Sequence, residues 1–401
     1  MLRLFLFISL SLNLFAGAQK EGLAYINNLR THAGLIKLTP NTFLNKAAKS
    51  HAKYLIQNQS HGHYEKKGRY SYTGKTPSKR VTKAGYRSTV VMENLSINTP
   101  RQKESIDNLF SAIYHRFVFL NLFMNEIGLG TYKTKKKRGV KQAYVYNLGS
   151  SRLSKLCKKS YTMVSGNYYM KDVCKKRSKM IPQTQFNSKK SVVRKKNTAI
   201  VLYPYAGQKD VYPAFYNESP DPLPRYKVSG FPISVQFNKA FYKKIKFTSF
   251  RLYNTQGKEI KKTKILHAKS DPHHLFSKFE FALMPLARLE FSQTYTAIFE
   301  AIADGKKIKK KWAFQTRVPK YPLYRVSKNS ETLHVKAGEK MILYMVPSHR
   351  KDLLKTYRAR GGLKAVFIDQ NSLKITLPKR KSSGRVSITF ANKKKVSFTV
   401  E

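Results

Sequence analysis

Four side chains in the first third of the chain have the types that bind divalent cations or move protons. They are His61 and His63 in SHGHYE, Glu93 in VMENLS and His115 in SAIYHR. Imidazole with carboxylate is the usual donor set for both chemistries. His61 and His63 are two residues apart, so in an extended segment they point the same way and either can reach a shared site. Glu93 lies in an apolar run, VVMENLSI, where a buried carboxylate without a partner is costly. It therefore calls for a backbone donor or a histidine. Ser60 and Ser96 flank these groups, but neither sits in a nucleophile-elbow pattern, so no catalytic nucleophile is assigned.

Positioning these groups falls to a run of short elements. Residues 21–31 have helical apolar spacing that Ala33-Gly34 ends, and Pro40-Asn41 opens a second helix. Leu44, Ala48, His51 and Leu55 share one stripe of that helix, which turns His51 inward as a hydrogen-bonded core residue rather than a ligand. Glycines and Pro77 punctuate residues 60–87, which read as loop. A strand over 90–97 carries Glu93. One helix over 104–120, with the stripe Ile106, Leu109, Ile113 and Phe117, carries His115. Strands at 124–132 and 142–148 flank a basic turn. Helices alternating with antiparallel strands over this length imply a three-layer sandwich.

Several blocks in order resemble the CAP superfamily in its bacterial form, the family of cysteine-rich secretory, antigen 5 and pathogenesis-related 1 proteins (SCP-like). They are NNLR with AGL, AAKSHAKYL, GHYE, TPSKR with AGY, MENLS, AIYHR, NEIGLG and YVYNLG, between residues 21 and 149. No block is specific alone; their order and spacing carry the likeness. The resemblance implies an α-β-α sandwich with a central cleft of two His and two Glu, sometimes holding a divalent metal. By motif His63 is the first histidine, Glu93 the glutamate of the EN block and His115 the later histidine. The family's second glutamate is expected on the helix before that histidine, where this chain has Ala112 or Ile113. Glu104 and Glu126 do not fit the spacing well, so a two-His, one-Glu variant is expected, with His61 and Glu126 as possible additional groups. Three such ligands would suit Zn²⁺ or another divalent metal with a coordination position open.

The rest of the chain bears on location and partners. Met1-Leu2-Arg3, an apolar run to Phe15 and Ala16-Gly17-Ala18 read as a signal peptide over 1–18. No cysteine follows the cleavage site, so no lipoprotein anchor is expected, and no later apolar run reaches spanning length. Export, to the periplasm or beyond, suits the two cysteines, Cys157 and Cys174, as one disulfide. Closing that loop stabilises by roughly 3 kcal/mol. The expected fold class is α+β. A CAP domain over 19–155 is followed by a disulfide loop and basic linker over 156–197. An immunoglobulin-like β-sandwich over 198–319 and a small β domain over 320–401 complete it. Within the sandwich Trp312 is expected in the core, and His273-His274 as an exposed turn.

Seventy-eight Lys and Arg face twenty-one Asp and Glu, a formal charge of +57. Such a chain seeks polyanions. Its cations are spread out, and nucleic-acid signatures are lacking, which disfavours nucleic acid. Anionic envelope glycan or lipid is the expected surface, and a small apolar ligand or a metal the expected content of the cleft. Two other readings stand beside this one: a metal-assisted hydrolase acting on peptide or cell-wall material, and a non-catalytic adhesive protein.

Overall fold

The computed structural model describes residues 19–136, 138–379 and 385–401. The expected signal peptide lies outside them. The first unit is built on a four-stranded sheet of β1 (Thr39–Pro40), β2 (Met92–Ile97), β3 (Glu126–Lys133) and β4 (Gln142–Gly149), in the order β1-β3-β4-β2. β1 runs parallel to β3, and the other pairs are antiparallel. One face carries α2 (Thr42–Gln57); the other packs on α1 (19–32), α4 (Gln102–Ser111) and α5 (Ile113–Phe119). The three layers are those the sequence implies.

Local chemistry accounts for the packing. Asn41 caps α2, accepting from the amides of Phe43 and Leu44 at 3.0 and 3.2 Å. Its stripe, Leu44, Ala48, His51 and Leu55, is wholly buried. The helix lies almost on the sheet backbone: a Cβ at Gly128 or Gly130 would stand 2.0 or 2.1 Å from backbone atoms of Leu44 or Ala48. The two glycines of the IGLG block are thus spacers for helix–sheet approach. Asn27 clamps the chain after α1, accepting from Leu38 N at 2.7 Å and donating to Leu38 O at 3.0 Å. Arg30 reaches the carbonyls of Phe119 and Asn121 at the end of α5. Burial pushes its guanidinium down to about 9.

Three expectations are corrected. The single helix over 104–120 is two, broken at Ala112, whose ψ of 116° is extended. The loop 60–87 contains α3 (Pro77–Lys83), opened by Thr76 and Pro77. The linker within 156–197 folds: after α6 (Ser151–Leu156) and the Cys157–Cys174 disulfide comes α7 (Gln183–Arg194). Phe186 and Val193, seven residues apart on one face, bury it. Three apolar residues in twelve, only two of them buried, were too few to show in a composition dominated by Lys, Ser and Gln.

Residues 200–315 form two facing sheets. One orders Thr263–Leu266, Glu280–Pro285, Ile233–Phe237 and Ile200–Tyr203; the other orders Ile245–Tyr253, Thr294–Ala303 and Lys306–Gln315. Phe237, Phe247, Phe281 and Phe299 meet between them. Trp312 is buried there and donates to Pro204 O at 2.9 Å. Glu280–Pro285 lies inside its sheet and is buried and apolar from Phe281 onward, so it lacks the alternation that marks half-buried strands. His274 is exposed as expected, but His273 is half-buried and bonds Asp221 O at 2.8 Å. Residues 323–400 form two four-stranded sheets around a separate apolar core, including the expected hairpin of Val386–Phe390 with Lys395–Val400.

The first two units share a core. Phe110 stacks on Phe119 and on Tyr203, both at 5.1 Å between centroids. Arg116 on α5 lies over Tyr203 and Phe231 and donates to Ser234 at 3.0 Å, with its guanidinium pushed down to about 9 by burial. The second and third units join through Arg288, which grips Asp369 at 2.9 and 3.0 Å with both side chains buried.

Candidate functional site

Glu93 lies on β2 opposite Asn147 of β4, and its side chain is 1% exposed. Arg80 on α3 satisfies it with a two-pronged bond from Nη2, at 2.8 Å to each carboxylate oxygen. His63 Nδ1 lies 3.0 Å from Oε1. Asn147 adds a donor to Oε2 at 2.9 Å in the amide orientation that also accepts from Ala48 N. Burial alone would raise the Glu93 carboxyl, but the His63 hydrogen bond and the charges of Arg80 and His51 outweigh it and hold it below the usual carboxylate range. An ionised carboxylate only accepts, so His63 Nδ1 carries the proton in that bond, which leaves Nε2 as the ring atom directed away from Glu93.

Beneath lies a second buried pair. His51 Nδ1 is 2.9 Å from Glu65 Oε1, and its Nε2 faces Gly62 O at 3.2 Å and Glu93 Oε1 at 3.8 Å. Glu65 also accepts from the amides of Thr73 and Gly74 at 2.6 and 3.1 Å. Burial raises the Glu65 carboxyl, and these donors together with Arg80 bring it below its ordinary value. Arg80 further donates to His63 O at 2.9 Å, so one guanidinium holds both the backbone and the partner of His63. Arg80 and Glu65, both fully buried, were missed in the sequence because they sit among loop residues rich in solvated cations.

His115 faces His63, with ring centroids 6.4 Å apart and planes inclined at 26°. Its place on α5 is set by Asn94, the residue after Glu93, which donates to His115 O at 2.9 Å. The expected absence of a second carboxylate is corrected. Glu218, 103 residues further along, lies 2.8 Å from His115 Nδ1, with its side chain 2% exposed. The same carboxylate accepts from Tyr114 N at 3.1 Å and approaches His115 N at 3.4 Å, capping a helix whose own N-cap residue, Ala112, offers no side chain. That cap is why the helix restarts at Ala112. No spacing rule could find Glu218, since it comes from outside the resemblance.

The remaining candidates do not join the cleft. Glu126 accepts from Tyr86 Oη at 2.7 Å and Asn41 Nδ2 at 3.1 Å. His61 is exposed and has no hydrogen bond to Glu93 or His115 among the described residues. Both oxygens of Glu93 are bonded to Arg80, so this carboxylate stands behind the His63 ring rather than beside it as a free donor. Among the described residues, no three His, Cys, Asp or Glu side chains form a group able to hold a metal ion. What the donor set fits is two imidazoles, each oriented through Nδ1 by a buried carboxylate, the usual outer support of a histidine that binds through Nε2.

Residues 23–147 match the model of the cysteine-rich secretory protein family, CAP. The chain carries a CAP domain. Among solved structures, the CAP domain is similar to an extracellular SCP-domain protein of Bacillus anthracis (19% identity, TM-score 0.29). That match covers 34% of this chain and 41% of the other, less than half of its length. It is also similar to an outer surface protein of Borrelia burgdorferi (22% identity, TM-score 0.29), over 33% of this chain and 92% of the other. No curated protein matches the chain. Among the described residues, no helix is long and apolar enough to cross a membrane.

Proposed function

We propose that the chain is an exported CAP-domain protein whose cleft binds a ligand between His63 and His115. Its basic β units, the first read as an immunoglobulin-like sandwich, hold it on anionic envelope surfaces. The observation that carries the cleft is the facing pair of rings, 6.4 Å apart, each held through Nδ1 by a buried carboxylate. Such a pair presents two Nε2 acceptors at fixed orientation, with His63 35% and His115 15% exposed. That suits a divalent cation or a ligand with two donors. A cation would be held by His63 and His115, with Glu93 and Glu218 behind them, and when bound would supply Lewis acidity to a ligand oxygen.

Hydrolysis is less well supported than binding. The carboxylates are engaged in orienting the rings, and among the described residues no Ser, Thr or Cys is hydrogen-bonded to either ring. The charge of +57 supports the docking half of the reading, and the apolar start of the chain supports export.

Zinc titration by calorimetry on the full chain and on the His63→Ala/His115→Ala variant tests the cleft. Binding to the wild type alone is expected. Equal heats for both would remove the cleft from the proposal. A hydrolase screen with and without chelator addresses catalysis separately.

A further inference from the structure

The outer face of one sheet in the last unit is unlike the rest of the surface. Its strands are ordered Ser330–Val335, Lys395–Val400, Val386–Phe390 and Tyr357–Arg360. Val386, Ile388, Val396 and Phe398 face the core. Side chains alternate along a strand, so the residues between them face out. Registration sets these in two rows across the sheet. Ser330, Lys395, Thr389 and Arg358 make one; Thr332, Ser397, Ser387 and Arg360 make the next, in which Ser387 is covered by its neighbours. Both rows are hydroxyls and cations, with no carboxylate and no aliphatic group. Glu331 has the opposite parity, and Glu401 lies beyond the rows, near His334.

On the arginine side the face is concave. A cavity of about 500 Å³ is lined by Arg358, Arg360, Arg385, Lys395, Ser387 and Thr389, among others. None of its four cations forms an ion pair among the described residues. The other cationic sheet face, on the second unit, differs: there Arg251 and Lys309 are paired with Glu300.

We propose that this concave face is a docking site for an anionic polysaccharide, one bearing carboxylate or sulfate groups. The proposal rests on the envelope-docking reading and names its residues and its ligand class. Guanidinium forks take planar or tetrahedral oxyanions two oxygens at a time. The interleaved hydroxyls pair with sugar hydroxyls, which a purely cationic patch would not do. Four strands give a breadth of about 14 Å, enough for an extended chain to lie across the rows. A bilayer is disfavoured because no apolar side chain in these rows could enter it. Single-stranded nucleic acid is disfavoured because the two aromatic residues at the cavity, Tyr357 and Phe390, pack into the core and offer no stacking platform.

The test uses the full chain and measures binding to polygalacturonate, dextran sulfate, neutral dextran, and vesicles of phosphatidylcholine with phosphatidylglycerol. Two variants remove equal charge from exposed positions: Arg358→Gln/Arg360→Gln/Arg385→Gln, and Lys307→Gln/Lys310→Gln/Lys311→Gln. The first is expected to lose about tenfold or more in affinity for the charged glycans. The second should lose less than about threefold, as diffuse charge does in moderate salt. Equal losses would overturn the site while leaving envelope docking in place. Binding to vesicles but not to charged glycans would overturn the ligand class. Wild-type indifference to every anionic probe would remove the docking reading itself.

Discussion

Arg80 is the residue on which the cleft depends most. Among the described residues it is the one Arg or Lys bonded to Glu93, and it is also the donor to His63 O, all inside the protein. Replacing it by methionine leaves Glu93 buried without its counter-charge. Such losses cost about 3–5 kcal/mol, which urea denaturation of Arg80→Met would read. Glu93 and Glu65 make stability depend on acid. Both carboxyls are held below their ordinary range in the folded state. Their contribution is therefore complete above the unfolded carboxyl pKa of about 4.3 and is lost as pH falls through the folded values. Asp352, brought down to about 2 by Lys394 and Ser348 against its burial, adds the same dependence in the last unit. Denaturant midpoints should stay level from pH 7 to about 5 and fall steeply below about 4; a midpoint unchanged at pH 3 would contradict this. At this scale much was legible. His63, Glu93 and His115 were readable from motif and spacing, and the structure brings them to one cleft. Arg80, Glu65 and Glu218 were not, since two lie in loops and the third on a helix of seven residues, too short for a periodicity to betray it.

Among the elements, α2 and α5 do different work. The close seat of α2 on β3 leaves no room for a methyl group at Gly130. Gly130→Ala should push the helix outward and cost about 1–3 kcal/mol, visible as a lowered Tm with the secondary structure retained. The seven residues of α5 present Tyr114, His115, Arg116 and Phe117 to partners in the second unit, namely Asp271, Glu218, Ser234 and Phe276. Its amino end depends on Glu218, so Glu218→Ala should cost about 1–2 kcal/mol through the lost cap. It should also release His115 Nδ1–H, seen as loss of that proton's slowly exchanging resonance. The apolar stripe of this helix was readable, but its break was not, because the cause lies in another unit.

As a whole, the molecule is less divisible than its sequence implies. Composition shifts near residue 198 mark a change from mixed to β structure, and the strand-rich remainder was expected. The shared core of Phe110, Phe119, Tyr203 and Phe231 was not, since each of those residues reads equally well as interior to its own unit. A chain ending at residue 197 should therefore expose an apolar face centred on α5. Dye binding and weakened near-ultraviolet dichroism are expected for it, whereas a cooperative, dye-free fragment would show the first unit to be self-sufficient.

Glu218 also has a consequence in time. Chains are made from the amino end, so His115 emerges more than a hundred residues before the group that orients it. Until the second unit has followed, the nascent cleft has one oriented wall and one loose one. The paired arrangement of the two rings is therefore complete only once the second unit has been made and has folded.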